Sequence, residues 1–97
     1  MTKRKFDKEI NQAYEIGFRR GYEIANRIPI DKGISKDGFV DIVLQEVANS
    51  RESTAFVFMA AKIDLMNEKN PEFDGWTIFD DALIQGAGAN FTDRTGT

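Results

Sequence analysis

From Phe6 to Ile28 the apolar and small residues Phe6, Ile10, Ala13, Tyr14, Gly17, Phe18, Gly21, Ile24, Ala25 and Ile28 fall on one side of a 3.6-residue period, which predicts a long amphipathic helix. Its polar face carries Lys8, Gln12, Glu15, Arg19, Glu23 and Asn26, with Glu15–Arg19 and Glu23–Arg27 spaced as favourable pairs. Pro29 ends this element, because the residue before a proline is pushed out of the α region, and Asp31-Lys32-Gly33 reads as a turn. Ser35 is placed to cap a second helix, whose stripe is Phe39, Val40, Val43, Leu44 and Val47 and whose end falls near Asn49.

A third helix is predicted from a cap at Ser50 or Ser53 to about Lys69. Phe56, Met59, Ala60, Ile63 and Met66 form one apolar side, while Phe58, Ala61 and Leu65 form another. A helix apolar on two sides is either central to a fold or touches a second chain. Asn70-Pro71 and Asp74-Gly75 then punctuate the chain, and Trp76 to Gln85 reads as a short fourth helix or the start of a strand. The stretch from Gly86 to Thr97, small and polar, reads as a flexible tail.

These patterns give an all-α fold, a small three- to four-helix domain over residues 1–85 followed by a flexible C-terminal tail at 86–97. The alternative is an α+β fold with a short strand pair at 54–59 and 76–80, since short apolar runs fit either period. With 41% hydrophobic and 30% charged residues, the chain has the composition of one globular domain and not of a disordered segment. The longest unbroken apolar run, Ala55–Ala61, is seven residues. A spanning helix needs about 20, so no membrane crossing is expected.

Chemistry is limited by what is missing. There is no histidine and no cysteine, which removes the usual proton shuttle at neutral pH, the thiolate nucleophile, disulfides and cysteine zinc sites. A reducing cytoplasm fits this usage, and the basic Lys3-Arg4-Lys5 runs directly into a charged helical pattern and not into a signal-peptide segment. No enzymatic activity, cofactor or metal is therefore expected. A magnesium site needs only oxygen ligands, and Asp64, Glu68, Glu72, Asp74, Asp80 and Asp81 are close in sequence, but such clustering more often marks a solvated acidic face. Residues 70–81 partly resemble an EF-hand calcium loop, with Asn70, Glu72 and Asp74 at the first ligand positions and Gly75 at the turn. Thr77 stands where an apolar residue belongs and Asp81 replaces the bidentate glutamate, so a helix stop followed by an Asp-Gly turn describes the segment better.

Net charge is −3, divided unevenly: residues 1–45 hold nine basic and seven acidic groups, residues 46–97 four and nine. The acidic half favours a non-enzymatic protein-binding module that covers a partner's basic surface, as a phage or mobile-element inhibitor of a host nucleic-acid-binding protein would. Its candidate contact residues are Asp64, Glu68, Glu72, Asp74, Trp76, Asp80 and Asp81, with Trp76 as the aromatic anchor or, equally, as a core plug. Nucleic acid is the second candidate partner, through Lys3, Arg4, Lys5, Lys8, Arg19 and Arg20, although an acidic pI near 4.9 opposes it. A structural subunit of a larger assembly, self-associating as a homodimer through the two-sided third helix, is the third reading. Gly17 and Gly21, four residues apart mid-helix, predict a close approach of another backbone.

Overall fold

A computed structural model describes residues 7–96. Four helices follow one another: α1 (Asp7–Asn26), α2 (Lys36–Asn49), α3 (Thr54–Lys69) and α4 (Gly75–Thr95). The all-α expectation holds, and no strand occurs among the described residues. Segments 54–59 and 76–80, the alternative strand pair, are the first turns of α3 and α4. Phe6 and the Lys3-Arg4-Lys5 cluster lie outside the described residues.

Each helix starts or stops where side-chain chemistry tells it to. Ser35, Ser53 and Asp74 are N-caps whose side-chain oxygens accept from the N–H of Gly38, Phe56 and Thr77 at 3.0, 3.2 and 3.1 Å. Ser53, not Ser50, caps α3, because Ser50 closes α2 by donating its N–H to Glu46 and Val47 carbonyls. Asn67 Oδ1 accepts from Gly75 N–H at 3.0 Å and ties the end of α3 to the start of α4.

The central seam is α1 against α4. Gly17 lies beside Phe79 and Ala82, Gly21 beside Leu83, Asn26 beside Asn90, and the Ile28 carbonyl beside Arg94. Both numbers rise together, so the two helices run parallel. On α1 a small residue recurs every fourth position, at Ala13, Gly17, Gly21 and Ala25, and all four are buried. A Cβ at Gly17 would sit 2.5 Å from the Phe79 carbonyl oxygen, and one at Gly21 or Gly86 would collide with the carbonyl of Leu83 or Phe18. Each mid-helix glycine costs about 1 kcal/mol in propensity. The close backbone approach it permits brings Phe79, Leu83, Ala87 and Phe91 into the core.

The flexible tail expected at 86–97 is corrected by this seam. Gly86, Ala87 and Gly88 are buried packing surface, Asn90 and Phe91 are buried too, and α4 continues to Thr95 before Gly96 ends it in the left-handed region at φ 76°. Small residues there serve contact, not flexibility. Because α1 and α4 are parallel, their C-termini meet, and Arg94 Nη1 donates to the carbonyls of Ala25 and Ile28, both at 2.9 Å, and to Asn90 Oδ1 at 3.1 Å. Fully buried Asn90 donates in turn to Asn26 Oδ1 at 2.6 Å. A cation thus sits at the negative end of α1.

Helix α2 packs antiparallel on α4, bringing Phe39 and Phe91 to 5.6 Å between ring centroids. Helix α3 forms a hairpin with α4 and contributes only Ile63 as a fully buried residue. The partly buried Phe56, Met59 and Met66 complete its inward side.

Candidate protein-binding surface

The seven residues proposed from sequence all fall on the α3–α4 hairpin, but they do different things. Trp76 is half-buried between Phe56 and Phe79, with ring centroids at 6.4 and 5.3 Å, and its indole Nε1–H donates to Asp64 Oδ1 at 2.9 Å. Both its apolar body and its polar handle are engaged within the fold, so it plugs the hairpin. Asp74 holds Thr77 through its N–H and its hydroxyl, the latter at 2.7 Å, and these bonds lower the Asp74 pKa below its ordinary value. Asp80 is pushed up, first by desolvation and then by the charges of Asp81 and Asp74, against a lowering pull from Arg51.

Glu68, Glu72 and Asp81 are exposed. Asn70, Glu72 and Asp74 lie in the segment between α3 and α4, whereas Gly75, Thr77 and Asp81 are on α4, so the twelve positions of the EF-hand pattern are divided between a linker and a helix. Among the described residues no group of three or more acidic side chains comes together as a metal-holding set.

The basic first helix is also changed by folding. Arg19 is paired with Glu15 at 3.1 Å, the Glu23–Arg27 pair is not formed among the described residues, and Arg20 is turned inward to 6% exposure. A phosphate-contacting stripe would need these guanidinium groups free.

The surface that stands out is the outer side of α3. Inward positions Phe56, Met59, Ala60 and Ile63 leave Phe58, Ala61 and Leu65 pointing away from the core, with Val57 beside them. Exposure reaches 67% at Phe58, 56% at Val57 and 50% at Leu65. Scattered exposed apolar residues are ordinary, but these four share one helical face. Asp64 and Glu68 border the stripe on the side where Asp64 meets Trp76, and Lys62 and Lys69 border it toward α1. The two-sided apolar pattern of α3 was readable in the sequence as a core helix or a contact helix; it is the edge helix of the fold, and its second side is open.

Between α1 and α3 runs an open groove of about 700 Å³, floored by Ile16, Met59 and Met66 and lined also by Arg20. Sequence reasoning assigned Arg20 to a basic face. The signal against that was its spacing, three residues after Gly17 and four before Ile24, which places it on the buried stripe. Among the described residues no helix is long and apolar enough to cross a membrane. No family model, curated protein or solved structure matches the chain.

Proposed function

We propose that the protein is a non-enzymatic protein-binding module that docks through the outer face of α3 onto a partner presenting an apolar strip bordered by basic groups. The observation that carries this reading is the stripe of Val57, Phe58, Ala61 and Leu65, which none of the described residues covers. Apolar side chains at the centre of a contact supply its binding energy, with Phe58 as the largest anchor. Asp64 and Glu68 supply an acidic border that selects a basic partner and speeds its approach. An inhibitor that covers a basic surface of a host protein is the specific form of this reading, with Trp76 supporting the face from behind instead of inserting into the partner.

The test compares the intact protein with Phe58→Glu and with the charge reversal Glu68→Lys in nuclease-treated lysate, followed by calorimetry with the purified captured partner. Phe58→Glu is expected to abolish capture at unchanged helicity, while charge reversal slows association and weakens binding less. Full retention by Phe58→Glu would overturn the reading. Sedimentation of the purified protein distinguishes the homodimer: a concentration-dependent dimer removed by Phe58→Glu would assign the face to a second copy of this chain.

A further inference from the structure

Arg20 is a buried cation with no ion-pair partner among the described residues. Its side chain is 6% exposed, and among the described residues its Nε–H has no acceptor and its Nη2 reaches only Ser53 Oγ at a long 3.5 Å. Burying a guanidinium is costly unless it is paired. Glu15 and Glu23 line the same groove, yet Glu15 is taken by Arg19 and neither forms an ion pair with Arg20.

The neighbour Arg20 does have makes matters worse. Ser53 is the N-cap of α3, so the guanidinium faces the positive end of a sixteen-residue helix. Ser53 Oγ serves the Phe56 N–H, and the N–H groups of Thr54 and Ala55 make no hydrogen bond among the described residues. A buried unpaired cation and an open helix N-terminus thus converge on one end of one groove. Each attracts an anion, and together they favour the same one.

We infer that the α1–α3 groove binds a short apolar peptide segment of a partner protein, with the carboxylate of an aspartate or glutamate seated between Arg20 and the first turn of α3. The planar fork of a guanidinium matches the two oxygens of a carboxylate, and seating one requires the Arg20 side chain to turn its buried, unpartnered Nε–H toward the groove. Five cationic and three anionic side chains line the groove, so its field is positive while the whole chain is acidic. Beyond the anion position the floor of Ile16, Met59 and Met66 accepts apolar side chains of varied shape, as thioethers do. The groove is open along its length, which suits a segment of chain more than an enclosed metabolite. This site is distinct from the outer face of α3, and the two share only Leu65.

The test is a random peptide library selected against the intact protein, followed by titration of the enriched peptide while watching the Arg20 Nε–H resonance by nitrogen-15 NMR. Enriched sequences are expected to carry an acidic residue flanked by large apolar ones and to shift that resonance saturably. Arg20→Met should weaken binding by about thirtyfold or more, since it removes the buried charged partner. Ala55→Glu, at an exposed position, should do the same by placing a like charge at the anion position, and it keeps the test valid if Arg20→Met misfolds. Phe58→Glu should leave peptide binding unchanged, which separates this site from the α3 outer face.

A second readout distinguishes a binding residue from a structural one. Without ligand, Arg20→Met should raise the thermal midpoint, because an uncompensated buried cation is replaced by an apolar side chain of similar length. A fall in the midpoint would make Arg20 a structural member and overturn the proposal. Enriched peptides without a carboxylate, no enrichment at all, or a saturable shift with inorganic phosphate but not with acidic peptides would overturn it too.

Discussion

The α1–α4 seam and α3 are helices of one small domain that make opposite use of their surfaces. The seam removes side chains so that backbones touch, and it buries its polar groups in a closed set of bonds among Asn26, Asn90, Arg94 and the α1 carbonyls. Helix α3 keeps large apolar side chains and leaves half of them in water, burying only Ile63 completely. Stability is therefore concentrated where the surface is least available, and the proposed binding face lies where the packing contributes least. A module built this way can change its contact face without reworking its core.

The largest test of this division is Gly17→Leu or Gly86→Leu. Each side chain would enter the space of a facing backbone carbonyl, which cannot rotate away as a side-chain tip can. Overpacking a well-fitted core costs about 1–3 kcal/mol, and a backbone clash sits at or above the top of that range. Ala61→Leu, on the outer face of α3, adds the same bulk and should change stability by no more than about 0.5 kcal/mol. Chemical denaturation of the three variants measures the contrast. A Gly86→Leu protein as stable as the parent would show that the seam is not close-packed.

The polar closure of the seam should weigh less. Arg94→Ala removes two bonds to the α1 C-terminus, one to Asn90 and a cation placed 5.8 Å from the Phe39 ring. A loss of about 2 kcal/mol follows, since bonds to a charged group exceed neutral ones. Lysine at the same position should recover only part of it, because one ammonium cannot reproduce the guanidinium fork. Phe58→Glu on α3 should leave the unfolding midpoint nearly unchanged while removing partner capture.

How much of this was legible in the sequence differs between the same two regions. The α1 stripe, its glycine pair and the caps Ser35 and Ser53 were readable, because periodicity and capping are local. The extent of α4 was not. Gly86, Ala87 and Gly88 resemble a linker until the α1 backbone is placed beside Gly86 and the Lys36 side chain of α2 beside Gly88, and that is long-range information. Trp76 was ambiguous for the same reason: an aromatic ring beside a turn is anchor or plug depending on whether Phe56, Phe79 and Asp64 close around it. Composition drew attention to carboxylates, while the features on which the proposals rest are an apolar stripe whose outward turn depends on which side of α3 faces the core, and an arginine buried by its spacing.

The smallest effects lie in two aspartates of the hairpin, whose environments act in opposite directions. Asp74 caps α4 and its folded pKa is lowered from 3.8, so the stability it contributes is present above that ordinary value and lost as pH falls through the folded one. Asp80 has its folded pKa raised from 3.8, first by desolvation where it lines a groove with Leu44 and Val47 of α2 and Phe56 and Ala60 of α3. Its ionised form is disfavoured by folding, so its penalty applies above the folded pKa and disappears as pH falls through it. Asp74→Asn should therefore lower the thermal midpoint at neutral pH, and the difference from the parent should shrink on acidification as the wild-type carboxylate protonates. Asp80→Asn should raise the midpoint at neutral pH, and its advantage should also vanish in acid, from the opposite side. Thermal scans of the three proteins across the acidic range read both signs at once. If Asp80→Asn lost stability at neutral pH, the attraction of Arg51 would outweigh desolvation, and the carboxylate would belong to the fold rather than to the surface left available for a partner.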